Sequence, residues 1–355
     1  MKGIPCILMR GGTSKGPFFL ASDLPDNPKE RDQILLKIMG SPHQSQIDGI
    51  GGGSSVSSKV AIISPSNREG IDVDYLFCQV VIGESRVDSS LNCGNMLSGV
   101  GPFAITKGLV KAQEKETIVR IYNQNTGVVV EAKVQTPNKE LSFDGEVTID
   151  GVPGQSAPIE LSFLDSVGAK TGKLLPTGAA VNTIENIEVS CIDVSVPVVM
   201  MLAKSLEKSG YETKQELDQD KKLIKKMEAI RQKAAILMGM GDVSQSVIPK
   251  MALLAEPRFN GNISSRYFTP KDCHPSHAVT GAICIATACL IPGSIANKAA
   301  HNILTQEESH GIIVEHPAGK IDAVIHKEMT GETIDIPKVS FIRTARPLFS
   351  GEVMI

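Results

Sequence analysis

At 355 residues the chain is long for a single core and comfortable for two domains. Its net charge of −3 is spread along the chain, which argues against a nucleic-acid or membrane-surface partner; sparse aromatics and the absence of Trp argue against a base-stacking platform. Seven cysteines without a Cys-x-x-Cys pair give neither a disulfide framework nor a zinc signature, so no metal is expected and a reducing compartment fits.

The chain opens directly into Ile4-Pro5-Cys6-Ile7-Leu8-Met9-Arg10, too short a run for a signal peptide. A polar loop, Arg10-Gly11-Gly12-Thr13-Ser14-Lys15-Gly16, leads to Leu20-Ala21-Ser22-Asp23-Leu24, and Asp32 to Met39 reads as a short helix. A second loop, Gly49 to Lys59, is rich in glycine and serine and runs into the short buried strand Val60-Ala61-Ile62-Ile63. Glycines allow close backbone approach, while hydroxyls and amides supply donors for an anionic ligand. Neither loop has Walker spacing or the strand–turn–helix context of a dinucleotide site, which argues against nucleotide binding. Lys59 either snorkels to solvent or is held in a cleft. There, desolvation lowers its pKa toward that of a useful base and a bound polycarboxylate raises it again.

The third loop, Asn92-Cys93-Gly94-Asn95, turns straight into a helix without charge from Met96 to Thr106, which should be buried on all sides. Asn92 can cap it, Gly94 permits close approach, and the unpaired first N–H groups suit an anion. A thiol at the mouth of a buried helix is an active-site arrangement; a core cysteine beside a turn glycine is the alternative.

The second half repeats the first. Cys191-Ile192, Leu202 to Leu206, Val279-Thr280-Gly281-Ala282, Ile313 to Gly319 and Phe349 to Ile355 follow the order of Cys6-Ile7, Leu20 to Leu24, Leu97 to Val100, Ile121 to Gly127 and Phe143 to Ile149. The last pair is identical at five of seven positions. Asp165 to Glu185 reads as the crossover, and Lys214 to Met238 as one long amphipathic helix on the outside of the second domain. The apolar run Ala278 to Ile291 is shorter than the roughly 20 residues that span a bilayer, so a cytoplasmic protein is expected. The fold class is α+β, with two pseudo-symmetric domains, 1–184 and 185–355, each a curled mixed sheet around a central helix. Terminal strands that cross between domains are compatible with this. A cleft shared by two such domains is the default ligand site.

Pairing Gly99 with Gly281 takes Cys93 to Pro275, Asn92 to His274 and Asn95 to His277. The thiol is therefore not mirrored, which disfavours a symmetric two-thiol machine. His274 and His277 fit acid/base work, capping or carboxylate binding equally. Arg266, on the strand Ile263-Ser264-Ser265-Arg266-Tyr267, is an exposed-face residue or a bidentate carboxylate clamp.

The segments MRGGTSKGPFFLASDLP, IDGIGGGSSVSSKVAII, LNCGNMLSGVGPFAI, SRYFTP and CHPSHAVTGA resemble the 4-oxalomesaconate tautomerase and methylaconitate/trans-aconitate isomerase family, over essentially the whole chain. The resemblance implies a diaminopimelate epimerase-like fold and no cofactor. It also implies proton transfer on unsaturated polycarboxylates, the small-molecule partner. The family's catalytic lysine matches Lys59 and its active-site cysteine matches Cys93. Its ligand-holding loops and helix amides match Ser14, Ser57, Asn92, Gly94, Asn95, Thr280 and Gly281. Pro275, standing where diaminopimelate epimerases carry a second thiol, puts amino-acid epimerisation in doubt. An amino-acid racemase and a non-catalytic binder of aconitate-like acids are the rival classes, and a homodimer is compatible with the sequence.

Overall fold

The strands show the period of two that one covered face imposes: Lys115 to Asn123, for example, alternates exposed and buried side chains. The structure is a computed structural model. It describes residues 2–89, 93–164, 166–244, 246–269, 272–303, 309–330 and 333–355. Its contacts divide the chain into two units, Met1–Ser162 with Ile342–Ile355, and Phe163–Phe341, ahead of the 184/185 boundary that the repeat suggests.

The first unit is a mixed sheet of β1 (Gly3–Gly11), β2 (Ser14–Leu20), β3 (Lys59–Pro65), β4 (Val73–Val80), β5 (Val87–Asp88), β6 (Lys115–Asn123) and β7 (Val128–Thr136). β2 runs parallel to β3 and β4 parallel to β6, whereas β1–β2, β3–β4, β4–β5 and β6–β7 are antiparallel. One face of this sheet is covered by α1 (Pro28–Met39), which starts on the Asn27 side-chain cap and ends at Gly40 in the left-handed region. Ile4, Cys6, Phe19, Val60 and Ile62 pack with Leu35 and Met39 there.

The opposite face holds the central helix. It is not continuous as the sequence suggests, but broken into α2 (Gly94–Leu97) and α3 (Val100–Thr106). Ser98 turns its hydroxyl back to the Asn95 carbonyl at 2.7 Å, and a Cβ on Gly99 would lie 2.5 Å from the Phe18 ring. The break brings the helix down onto Phe18, whose ring centroid is 5.8 Å from that of Phe103.

β8 (Ile159–Leu164) spans the boundary between the units. The second unit contains β9 (Asn182–Ile184), β10 (Ile187–Val194), β11 (Val196–Leu202), β12 (Lys250–Ala255), β13 (Ile263–Phe268), β14 (Ser309–His316), β15 (Gly319–Thr330) and β16 (Thr333–Arg343), whose last residues pass the boundary. Its sheet repeats the sequence of senses: β10–β11 antiparallel, β11–β12 parallel, β12–β13 antiparallel, β13–β14 parallel, β14–β15 antiparallel. Its outer layer is α4 (Lys214–Gln219) and α5 (Lys221–Leu237). The single helix expected over Lys214 to Met238 is thus two. Asp220 separates them, capping the N–H of Leu223 at 2.9 Å and pairing with Lys208 at 2.6 Å. The central helix of this unit is α6 (Val279–Cys289), buried from Gly281 onward and followed by α7 (Ile295–Ala299).

The last repeated pair parts company in space. Phe349–Ile355 lies largely in β17 (Ala345–Met354), which pairs antiparallel with β1 and so belongs to the first unit. Its sequence match, Phe143 to Ile149, forms only the isolated bridge Val147–Ser156. Similar side chains become a strand where a neighbouring strand offers its backbone.

Candidate active site

Lys59 is the first residue of β3. Val60 and Ile62 face α1, so alternation turns Lys59 and Ala61 toward the central helix. Cys93 is the N-cap residue of α2, with an extended backbone, and its carbonyl accepts the first helical bond from Leu97 at 3.1 Å. The Lys59 Nζ donates to Cys93 Sγ at 3.1 Å and lies 5.2 Å from the centroid of the Phe77 ring. Cys93 is 7% exposed. The fully buried Tyr75 hydroxyl makes no hydrogen bond among the described residues; burial raises its pKa well above the ordinary value, with the Cys93 and Cys78 thiols adding to the rise.

The loops around this pair have structural reasons for their glycines. Gly11 would place a Cβ 2.5 Å from the Asn95 carbonyl, and Gly12, at φ +51°, abuts the Asn95 side chain. Asn95 holds the β1–β2 turn in return: Nδ2 donates to Thr13 Oγ1 at 3.0 Å, and Oδ1 accepts from the Thr13 N–H at 3.4 Å. Ser14, 2% exposed, has no partner for its hydroxyl among the described residues. Ser57 stays with its own loop, sharing a 2.7 Å hydrogen bond with Ser54. Sequence reading passed over Gln46. This buried amide donates to Ser58 Oγ at 2.6 Å and accepts the Gly53 N–H at 3.0 Å, which fixes the loop leading into Lys59. No motif marks it; only its contacts do. Asn92 lies outside the described residues. Gly94 is the first residue of α2.

In the second unit, His277 is buried and both ring nitrogens are committed. The Ala278 carbonyl, 2.9 Å from Nδ1, can only accept, so Nδ1 carries the hydrogen and Nε2 accepts from the Ser265 hydroxyl at 3.0 Å. Desolvation pushes the His277 pKa down to about 3, so the ring is neutral. Burial also lowers the pKa of His274, whose Nδ1 accepts the Ser276 N–H at 3.1 Å. Thr280 and Gly281 form the first turn of α6, and Gly281 is there because the Tyr267 ring occupies the place of a Cβ. Arg266 pairs with Leu253, a member of the core packed on α5, so it shares that outer face rather than the α6 face. Its Nε donates to the Glu212 carbonyl at 2.7 Å and its Nη1 to the Ser265 carbonyl at 3.1 Å. Desolvation lowers its pKa from the usual arginine value.

An amine in contact with a thiol can take up and release a proton, and N–H groups at a helix start can receive negative charge. The PrpF protein family profile matches residues 1–355. The chain belongs to the PrpF family. Over 352 residues it is 48% identical to a 4-oxalomesaconate tautomerase of Pseudomonas putida, covering 99% of this chain and 96% of the relative. A crystal structure of methylitaconate-delta-isomerase superposes with a TM-score of 0.87 at 36% identity, covering 99% of this chain and 95% of that one. A hydroxyproline epimerase from Agrobacterium vitis, 11% identical with a TM-score of 0.53 and covering 99% of this chain and 92% of that one, shares the fold. The PrpF chain is an isomerase with the epimerase-like α+β fold. No described helix is long and apolar enough to cross a membrane.

Proposed function

We propose that this isomerase moves a proton and a double bond between allylic positions of an unsaturated tri- or dicarboxylate such as 4-oxalomesaconate or an aconitate, with Lys59 as the base and Cys93 as its partner. The observation that carries the reading is the 3.1 Å contact between Lys59 Nζ and Cys93 Sγ at the start of the central helix. With one proton shared, an amine–thiol pair contains one base and one acid in either tautomer. A 1,3 shift needs just that: the amine removes the proton alpha to a carboxylate or keto group, and the thiol protonates the far carbon of the dienolate. The carbon skeleton gains and loses one proton, and no oxidant or reductant is required. In the first unit the Ser14 hydroxyl, the N–H groups of Gly94 and Asn95, and donors from Ser57 and Asn92 receive carboxylate and dienolate charge; in the second, Thr280 and Gly281 offer N–H groups at the start of α6. Arg266, on the outer face of the second unit, holds the Glu212 carbonyl. Seven free, buried cysteines suit a reducing compartment, and the reading places the enzyme in the cytoplasm.

Incubation with 4-oxalomesaconate and aconitate isomers in D₂O, followed by ultraviolet absorbance and proton spectra, tests this. Double-bond movement with solvent deuterium entering one allylic carbon, abolished in Lys59→Ala and slowed in Cys93→Ser, is the expected result. Turnover that survives in Lys59→Ala would remove Lys59 from the role of base.

A further inference from the structure

The two sheets share strand order and sense, so residues can be matched by register rather than by sequence. In the first unit Leu20, the last residue of β2, lies opposite Ile63 of β3; in the second, Leu202 of β11 lies opposite Leu254 of β12. Both strands then enter a short 3₁₀ turn. Counting back along β3 and β12 from these pairs, Ala61 falls on Ala252 and Lys59 falls on Lys250, each the first residue of its strand. The antiparallel neighbours agree: Ala61 pairs with Phe77, and Ala252 with Tyr267. Met251 and Leu253 belong to the core packed on α5, so Lys250, like Lys59, is turned toward the central helix of its own unit.

The ring residues on the neighbouring strand also correspond. Lys59 Nζ lies over Phe77, and the ring of Tyr267, the counterpart of Phe77, faces His274 edge-on at 6.5 Å and His277 at 4.8 Å. One difference matters. Lys59 has the Cys93 thiol as its partner, whereas Lys250 has no hydrogen-bond acceptor or carboxylate on its amine among the described residues. It stands partly buried, and burial lowers its pKa, with the Arg231 guanidinium adding to the fall. A partly desolvated amine without a counter-charge is costly unless an anion completes it.

We propose that Lys250 is a carboxylate-binding residue, the second unit's counterpart of Lys59, and that it receives a carboxylate of a polycarboxylate acid. The inference rests on the polycarboxylate reading above and adds a residue to it. It assigns proton transfer to the first lysine and charge recognition to the second, with the missing thiol at Pro275 as the reason the two diverge.

The probe is tricarballylate, a saturated tricarboxylate that no allylic shift can consume, with binding measured by calorimetry on the full chain. Lys250→Met should weaken binding at least tenfold, while Lys250→Arg, which keeps the charge, stays within about threefold of wild type and Lys59→Ala still binds. A second measurement needs no disruptive variant. Reductive ¹³C-methylation of the wild-type protein gives a Lys250 resonance, assigned by its absence in Lys250→Arg, that should move on adding tricarballylate. Equal affinity in Lys250→Met, a resonance that stays put, or no binding to the wild type would each overturn the proposal. The two readings fail separately. Turnover of 4-oxalomesaconate with full activity in Lys250→Met keeps the isomerase and removes the subsite. Binding lost in Lys250→Met, with no turnover of any unsaturated acid by wild type, keeps the subsite and removes the reaction.

Discussion

Gly16 of β2 lies directly against the backbone of Lys59: a Cβ at position 16 would overlap the Lys59 carbonyl oxygen and approach Met96 Cε at 3.1 Å. The residue that bears the amine is therefore positioned by the absence of a side chain on the neighbouring strand. A backbone carbonyl in a sheet cannot yield as a flexible side chain would, so Gly16→Ala must push β3 away from β2. A displacement near 1 Å costs on the order of 100-fold in rate when proton transfer depends on alignment. The expected outcome is a folded protein by circular dichroism with turnover reduced about that much; unchanged turnover would show that β3 tolerates the shift.

Gln46 fixes the serine-rich loop ahead of Lys59 through its bonds to Ser58 Oγ and the Gly53 N–H. Gln46→Leu keeps the volume but leaves the Gly53 N–H without that acceptor. Removing a buried hydrogen-bond partner costs about 1–3 kcal/mol. Urea denaturation should show a loss of that size, and the Michaelis constant should rise more than kcat falls, because the loop presents ligand donors. Wild-type stability in this variant would mean the loop is held by other bonds, among them those from Gln79 Nε2 to the Ser58 and Ser55 carbonyls at 2.7 and 3.3 Å.

Acid should weaken the second unit through His277. Its pKa is about 3 in the fold, against about 6.5 in the unfolded chain. Between those values the unfolded chain binds a proton that the folded one does not, so stability is full above about pH 6.5 and is lost as pH falls toward 3. Thermal midpoints measured from pH 7.5 down to 4 should fall steadily in the wild type. His277→Gln should start lower, having lost the fit to Ser265, and then show a flatter profile. Parallel slopes would assign the acid sensitivity to other groups.

Arg231 on α5 is 1% exposed and holds the segment that leads into β12. It donates to the carbonyls of Val243, Ser246 and Ile248 at 2.9, 3.2 and 3.2 Å, and pairs with Glu228 at 2.7 Å. Arg231→Met fills much of the space but leaves three carbonyls unserved. A destabilisation of about 2–4 kcal/mol is expected from a buried network broken on one side, read as a lower urea midpoint at unchanged slope. A midpoint equal to wild type would show that water takes over all three carbonyls.

Glu315 offers a contrasting carboxylate. Burial alone would raise its pKa, but the N–H groups of Arg258, Gly261 and Phe259 converge on it and draw it below the usual value. Glu315→Gln keeps one acceptor oxygen of two and should loosen the β12–β13 connection, seen as faster amide exchange from Arg258 to Gly261. Unchanged exchange there would detach the loop from this carboxylate.

The sequence by itself determined the family and a repeated architecture, and it singled out Lys59 and Cys93, which the structure brings within 3.1 Å of each other. These depend on local pattern: turn glycines, alternation along strands, and an uncharged helix after a small-residue loop. It also marked the hairpins at Gly127 and Gly319, which close β6–β7 and β14–β15 in both units. Only the tertiary structure decided which similar segments occupy equivalent places. Phe349–Ile355 found the backbone of β1, while Phe143–Ile149 found a single bridge. Asp220 broke a helical pattern by capping the next helix. Arg266 went to the outer face because strand parity ties it to Leu253. Lys250 escaped the sequence comparison because the connections before β3 and β12 differ in length, and register is a property of paired strands. Which face a side chain joins, and which amine matches which, is set by hydrogen bonds between segments far apart in the chain.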